Sequence, residues 1–172
     1  MIRPAQPKDI DGVVQIYDAI LHEQEQGRRT VGWQRGVYPT RETAIRAMEA
    51  GDLYVMEEAG QIVASCRINQ HQEESYAGFC WQHPAPDDRV MVLHTLTVAP
   101  WAEGRGLARA FVDYYEQHAL KQGCPYLRMD TNAINAAARA LYKKLGYAER
   151  GIVPTEFNGI SGVMLVGLEK KL

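Results

Sequence analysis

From Asp9 onward the apolar residues Ile10, Val13, Val14, Tyr17, Ile20 and Leu21 return every three or four positions, which predicts an amphipathic helix. Asp9 or Asp11 is placed to accept from the free N–H groups at its start. Ahead of it, Ile2 to Ala5 reads as a short strand. A second helical stripe, Ala44, Ile45 and Met48, follows Thr40, whose hydroxyl suits an N-cap, and ends at Gly51. The period then changes to two: Leu53 to Glu58 and Ile62 to Asn69 alternate around Ala59-Gly60 and predict a hairpin. Val90 to Val98 is apolar or β-branched almost throughout, as a buried central strand requires. Next comes a helix from about Gly104 to Gln122, with an inner stripe of Leu107, Phe111, Tyr114, Tyr115 and His118 and a stop at Gly123 and Pro125. Tyr126 to Asp130 reads as a strand, and Asn132 or Asn135 caps a helix that runs through Leu145 to Gly146. Tyr147 to Val153 and Val163 to Leu168 bring the set to about seven strands and four helices.

Two stretches lack any period. Gln24 to Pro39 carries Arg28, Arg29, Trp33 and Tyr38, and His71 to Asp88 carries Tyr76, Phe79 and Trp81. Aperiodic segments this long in a compact domain are often functional, so each is either the cover of a site or a packed surface loop.

A length of 172 residues is enough for one substantial core and short for two, so residues 1–172 are expected to form a single domain. A net charge of −2 and a pI near 6.2 leave no basic footprint for nucleic acid. There is no signal-peptide pattern and no apolar stretch of membrane length, so the expected location is the cytoplasm, with no membrane partner. Cys66, Cys80 and Cys124 are odd in number and widely spaced, which fits a reducing compartment rather than a disulfide framework. His22, His71, His83, His94 and His118 show no zinc-ligand spacing, and no metal is expected.

Candidate chemistry begins where Val98 gives way to Pro100, Gly104 and Gly106. Gly accepts φ > 0 and lets a ligand approach the backbone, and the first N–H groups of the following helix have no internal partner, so this turn suits a phosphate or pyrophosphate. A ligand-free tight turn has the same composition. A P-loop is excluded, because Leu107 and Ala108 stand where Lys and Ser or Thr are required. A dinucleotide-binding turn lacks its third glycine at Arg109, although Asp130 lies where a ribose-binding acid falls. The hairpin ahead of the motif also does not fit a βαβ unit.

Val98-x-Pro100 leading into Glu103-x-x-Gly106-x-Ala108, with Asn135-x-x-Ala138-x-x-Leu141-Tyr142-x-x-x-Gly146-Tyr147 downstream, resembles the GNAT superfamily of acyl-CoA-dependent N-acetyltransferases. Ile2-Arg3-Pro4-Ala5 ahead of Asp9 is similar to the start of many members, and the likeness runs from Ile2 to about Leu168. The resemblance implies an α/β (α+β) fold whose mixed, mostly antiparallel sheet splays after its fourth strand. It also implies acetyl-CoA as co-substrate, with Leu96, Thr97 and Val98 meeting the pantetheine arm. Glu103, Gly104, Arg105, Gly106, Leu107 and Ala108 would hold the pyrophosphate, and Asn135, Ala138 and Tyr142 would complete the cofactor site. Glu103 departs from the Gln or Arg usual at its position. A carboxylate there is expected to point outward and leave binding to its backbone N–H, with Arg105 or Arg109 offsetting its charge.

By the same resemblance Tyr142 is the general acid that protonates the departing thiolate, although Ala138, Leu141, Tyr142 and Leu145 also form a packing stripe. His94 is the expected base, alone or through water, because its position matches a catalytic histidine of the arylalkylamine acetyltransferases and histidine titrates in the right range. A histidine on an apolar strand is otherwise a core residue. Val92, on the same face, stands where some members carry Glu or His. The implied reaction is direct acetyl transfer to a primary amine, a small amine or amino acid before a protein lysine, with Arg28, Arg29 or Arg67 available to a carboxylate. A non-catalytic acyl-CoA-binding or sensor domain is the alternative. A sheet edge or the C-terminal strand is open to homodimer formation.

Overall fold

The computed structural model describes all 172 residues. In chain order the elements are β1 (Ile2–Pro4), α1 (Ile10–Glu25), α2 (Arg41–Glu49), β2 (Leu53–Glu58), β3 (Gln61–Asn69), β4 (Val90–Val98), α3 (Leu107–Lys121), β5 (Tyr126–Asn132), α4 (Ala136–Lys144), β6 (Ala148–Phe157) and β7 (Ile160–Lys171). One seven-stranded sheet holds them in the order β1-β2-β3-β4-β5-β7-β6. Only β4 and β5 are parallel, joined through the crossover helix α3 that a parallel pair demands. The C-terminal strand β7 is interior, between β5 and β6, so β1 and β6 are the free edges and the C-terminal strand has none to offer a second copy.

The sheet does splay. β4 pairs with β5 from Val90 opposite Tyr126 to Leu93 opposite Met129 and no further. On its other side β4 carries a bulge: Thr97 faces Ser65 and His94 faces Arg67, leaving an extra β4 residue between them. Thr95 sits in the bulge at φ +52, a left-handed conformation that strains a β-branched residue. Beyond Leu93 the strand therefore turns away from β5, and a cleft opens between them.

Both irregular stretches pack over this cleft. Gln24 of α1 pins residues 31–33, its Oε1 accepting from Val31 N at 2.9 Å and Gly32 N at 2.6 Å while its amide donates to Trp33 O. Trp33 packs edge-on between Tyr17 and Tyr38, whose hydroxyl bonds that of Thr95. The 71–88 segment is held by buried Glu169 of β7, which accepts from Gln82 N at 2.9 Å, His83 N at 3.1 Å and Arg150 Nε at 3.0 Å. Tyr76 and Phe79 bury themselves with Val90, Val92 and Val163 in a small second core. The main core lies on the other face, where α1 and α3 cover the sheet.

Local readings are refined in four places. Asp9 is buried and accepts from Gln6 N at 2.7 Å and from Arg3 at 2.6 Å and 2.9 Å, so it closes the preceding turn and ties down β1 rather than capping α1. Along α3 the buried stripe is Leu107, Phe111, Val112, Tyr115 and Ala119. Tyr114 and His118 instead stack on each other at its margin. That helix starts at Leu107, three residues later than expected, because Gly104 and Gly106 both hold positive φ. The last two strands are longer than their apolar runs and form one hairpin around Asn158-Gly159.

Candidate active site

Gly104 and Gly106 have φ of +74 and +76, a conformation that side-chain-bearing residues rarely adopt, and the space beside each is open. No backbone carbonyl accepts from the N–H groups of residues 103–109, and no side chain caps α3. The turn is thus a run of unpaired donors at a helix N-terminus, fitted to an anion such as a diphosphate. Glu103 does point outward, and Arg29 from the 26–40 loop pairs with it. The residues expected to offset it are engaged elsewhere: Arg105 pairs with Glu58 at 2.6 Å, and Arg109 lies 3.9 Å from Asp113. Arg29, remote in sequence, is the counter-ion that sequence reasoning missed.

A cavity of about 110 Å³ occupies the splay, and Leu96, Asn135, Ala138, Tyr142 and His94 line it. Leu96 and Val98 lie on the part of β4 that has no β5 partner. Thr97 turns inward, its hydroxyl donating to Ser65 O at 3.2 Å, so only its backbone is available to a ligand. Asn135 caps α4, its Oδ1 accepting from Ala138 N at 3.2 Å. Tyr142 is the buried residue of α4, and its hydroxyl makes no hydrogen bond within the chain. Burial, and then the nearby Asp130, push its phenol above its ordinary range and keep it protonated. Residues 103–108 do not line the cavity. The turn with its free N–H groups and the cavity are therefore two separate parts of the structure.

The chain matches the Acetyltransferase (GNAT) family over residues 15–147. It belongs to that family. A mycothiol acetyltransferase of Jonesia denitrificans is 36% identical over 87 residues, 49% of this chain and 28% of that protein. One from Streptomyces avermitilis is 32% identical over 71 residues, 41% of this chain and 23% of its own length. The chain thus spans about a quarter of the curated relatives it matches. Among solved structures, a GNAT acetyltransferase of Streptococcus agalactiae superposes with a TM-score of 0.82 at 26% identity, covering 100% of this chain and 95% of the other. The yncA protein of Salmonella typhimurium, solved with its cofactor acetyl-CoA, gives 0.70 at 19% identity over 100% and 93%. The family, the curated relatives and these solved structures are acetyltransferases by name. No helix in it is long and apolar enough to cross a membrane.

Within the GNAT cleft the structure gathers charged groups from three strands and adds Glu73 from the aperiodic 71–88 segment. Arg67 of β3 lines the cavity, 3.5 Å from Glu73, and its Nε is buried without a partner. Arg28, in contrast, is exposed and pairs with Glu23, so of the three arginines expected near the acceptor only Arg67 faces the cavity. His94 is buried, with Nε2 2.9 Å from Asn69 Oδ1 and Nδ1 3.7 Å from Glu73. Burial, then the charges of Arg67 and His71, bring its imidazole down to about 3, so it is neutral at physiological pH. Asp130 also lines the cavity, and the Tyr76 hydroxyl donates to its Oδ2 at 2.7 Å. Its place at the carboxyl end of a buried strand was the available sequence signal. Glu73 and Tyr76, inside a segment without period, offered none.

Proposed function

We propose that this protein moves an acetyl group from acetyl-CoA to the primary amine of a small molecule by direct attack in a ternary complex. The observation that carries the reading is the splayed cleft. It joins a cradle of free N–H groups at one end to a cavity holding an unbonded tyrosine hydroxyl, two carboxylates and one guanidinium at the other.

The N–H groups from Glu103 to Ala108 hold the diphosphate, unpaired β4 backbone beyond Leu93 takes the pantetheine arm, and Ala138 leaves room beside it. Bound there, acetyl-CoA supplies the activated acyl group. Tyr142 gives its proton to the departing sulfur, a task suited to a phenol kept protonated by burial. Glu73 and Asp130 favour a cationic amine, and Arg67 favours a carboxylate on the same acceptor. Small amino acids therefore fit better than a polyamine.

Calorimetric titration with acetyl-CoA, followed by thiol release across amino acids, simple amines, polyamines and a lysine peptide, tests this reading. Saturable binding and faster release with amino acids are expected. Binding without release from any amine would instead favour an acyl-CoA-binding module.

A further inference from the structure

The register of three strands places a row of charged residues under the 71–88 segment. Arg67 of β3 is opposite His94 of β4. On the other side Val92 is opposite Arg128 and Leu93 opposite Met129, so one more step would set His94 beside Asp130, at the point where the ladder ends. Three groups in this cavity are able to receive a proton from an amine, and their hydrogen bonds separate them.

Glu73 is shared among three cations or potential cations, 3.5 Å from Arg67 and 3.7 Å from both His71 and His94. His94 has one ring nitrogen committed. Asn69 donates its amide to Asp52 at 2.7 Å, which fixes Oδ1 as the acceptor that faces His94 Nε2, so Nε2 carries the proton. The remaining Nδ1 belongs to a ring that resists protonation. Asp130 differs from both. Its Oδ2 is held by Tyr76, while Oδ1 has no partner in the chain and stays accessible on the cavity wall.

We propose that Asp130, oriented by Tyr76, is the general base that takes the proton of the acceptor's ammonium group. The proposal rests on the acetyl-transfer reading above. An N–H bond of the ammonium breaks and its proton passes to Asp130 Oδ1. The freed electron pair forms the C–N bond to the acyl carbon, and the C–S pair leaves with sulfur, which takes the proton of Tyr142. The surplus proton on the new amide nitrogen goes to water, and Tyr142 and Asp130 return to their starting states through solvent, so one proton is released per turnover.

The groups that face Asp130 are Glu73 and Tyr76 from the covering segment, Arg67 from β3, His94 from β4, Tyr142 from α4 and Tyr38 from the 26–40 loop. Burial, opposed by the Tyr76 hydrogen bond and Arg67 and aided by Glu73, brings the carboxyl up to about 7. A base matched to the working pH is the effective one.

The test compares wild type with Asp130→Asn, Tyr76→Phe and His94→Gln in thiol release against pH with the amine panel. Acetyl-CoA calorimetry and carbon-13 NMR of aspartate carboxyls accompany it. Asp130→Asn is expected to lose roughly 100-fold or more in kcat/KM at pH 8 and to lose the acidic limb of the profile, while its acetyl-CoA affinity stays within about twofold of wild type, well under the tenfold worth ~1.4 kcal/mol. One carboxyl resonance titrating near neutrality should vanish with it. Tyr76→Phe removes a hydrogen bond that favours the ionised carboxylate, so the acidic limb should move to higher pH, which decides the matter if Asp130→Asn does not fold. His94→Gln should keep the limb. An acidic limb that survives in Asp130→Asn, or a Tyr76→Phe profile superimposable on wild type, overturns the assignment. Acetyl-CoA binding with no thiol release from the wild-type protein would instead bring down the transfer reading, and the assignment with it.

Discussion

Six tyrosines are buried, and four of them, Tyr76, Tyr115, Tyr142 and Tyr147, differ in where the hydroxyl ends. Tyr115 donates to Met91 O at 2.6 Å, Tyr147 to Glu116 at 3.0 Å and Tyr76 to Asp130 at 2.7 Å. Tyr142 alone among these four has a hydroxyl without a partner in the chain, and it is the one aimed into the cleft. Removing that hydroxyl breaks no internal hydrogen bond, so Tyr142→Phe should change stability by less than about 0.5 kcal/mol. Turnover should fall by about 100-fold or more with acetyl-CoA affinity nearly intact. Stopped-flow thiol release and calorimetry measure the two separately, and unchanged turnover would return Tyr142 to the core. In the sequence this residue occupies a helical stripe with Ala138, Leu141 and Leu145, where packing and proton donation leave the same trace. What distinguishes them is an empty hydrogen-bond position, which exists only in three dimensions.

The element that most separates expectation from outcome is the closing hairpin. Its strands run Ala148–Phe157 and Ile160–Lys171, while the apolar runs mark only 147–153 and 163–168. Gly151 and Pro154 obscure the alternation, and Pro154 is tolerated because β6 is an edge. Asn158 and Gly159, both at positive φ, form the tight turn that joins the strands, and this Asn-Gly pair was the readable signal. The hairpin also seats the 71–88 segment over the cleft. A Cβ on Gly167 would lie 2.5 Å from the Phe79 ring, so only glycine lets that ring settle on β7. Gly167→Ala should cost about 1–3 kcal/mol through overpacking. It should also displace the segment that carries Glu73 and Tyr76, raising KM for the amine more than it weakens acetyl-CoA. Urea denaturation and two-substrate kinetics test this, and a wild-type KM would show that the segment does not depend on Phe79 for its position.

Across the whole molecule, the site sets a pH dependence of stability. Asp130 has a folded-state carboxyl raised to about 7 by burial, against an unfolded value near 3.9. Between those values the folded chain keeps a proton that the unfolded chain has lost, so this group's contribution falls as pH rises through the window and levels off above it. Asp130→Asn has no such term, so its stability relative to wild type should grow from little at pH 4 to on the order of 2 kcal/mol at pH 8. Denaturation at both pH values checks this, and a difference independent of pH would show that the carboxylate is well solvated. At this scale the division between sequence and structure is a matter of range. Hydrophobic period, caps and glycine turns are local, so the chain alone determined its helices, the β2–β3 hairpin, the central strand and the glycine turn ahead of α3. The motifs at Val98 to Ala108 and Asn135 to Tyr147 were enough for the family. Tertiary structure decided what depends on contact between distant segments: Arg29 against Glu103, Tyr76 on Asp130, and Arg67 beside His94 across a bulge. The charge state of a buried group follows from the neighbours that replace its water, and those neighbours are chosen by the fold rather than by the residue's own stretch of chain.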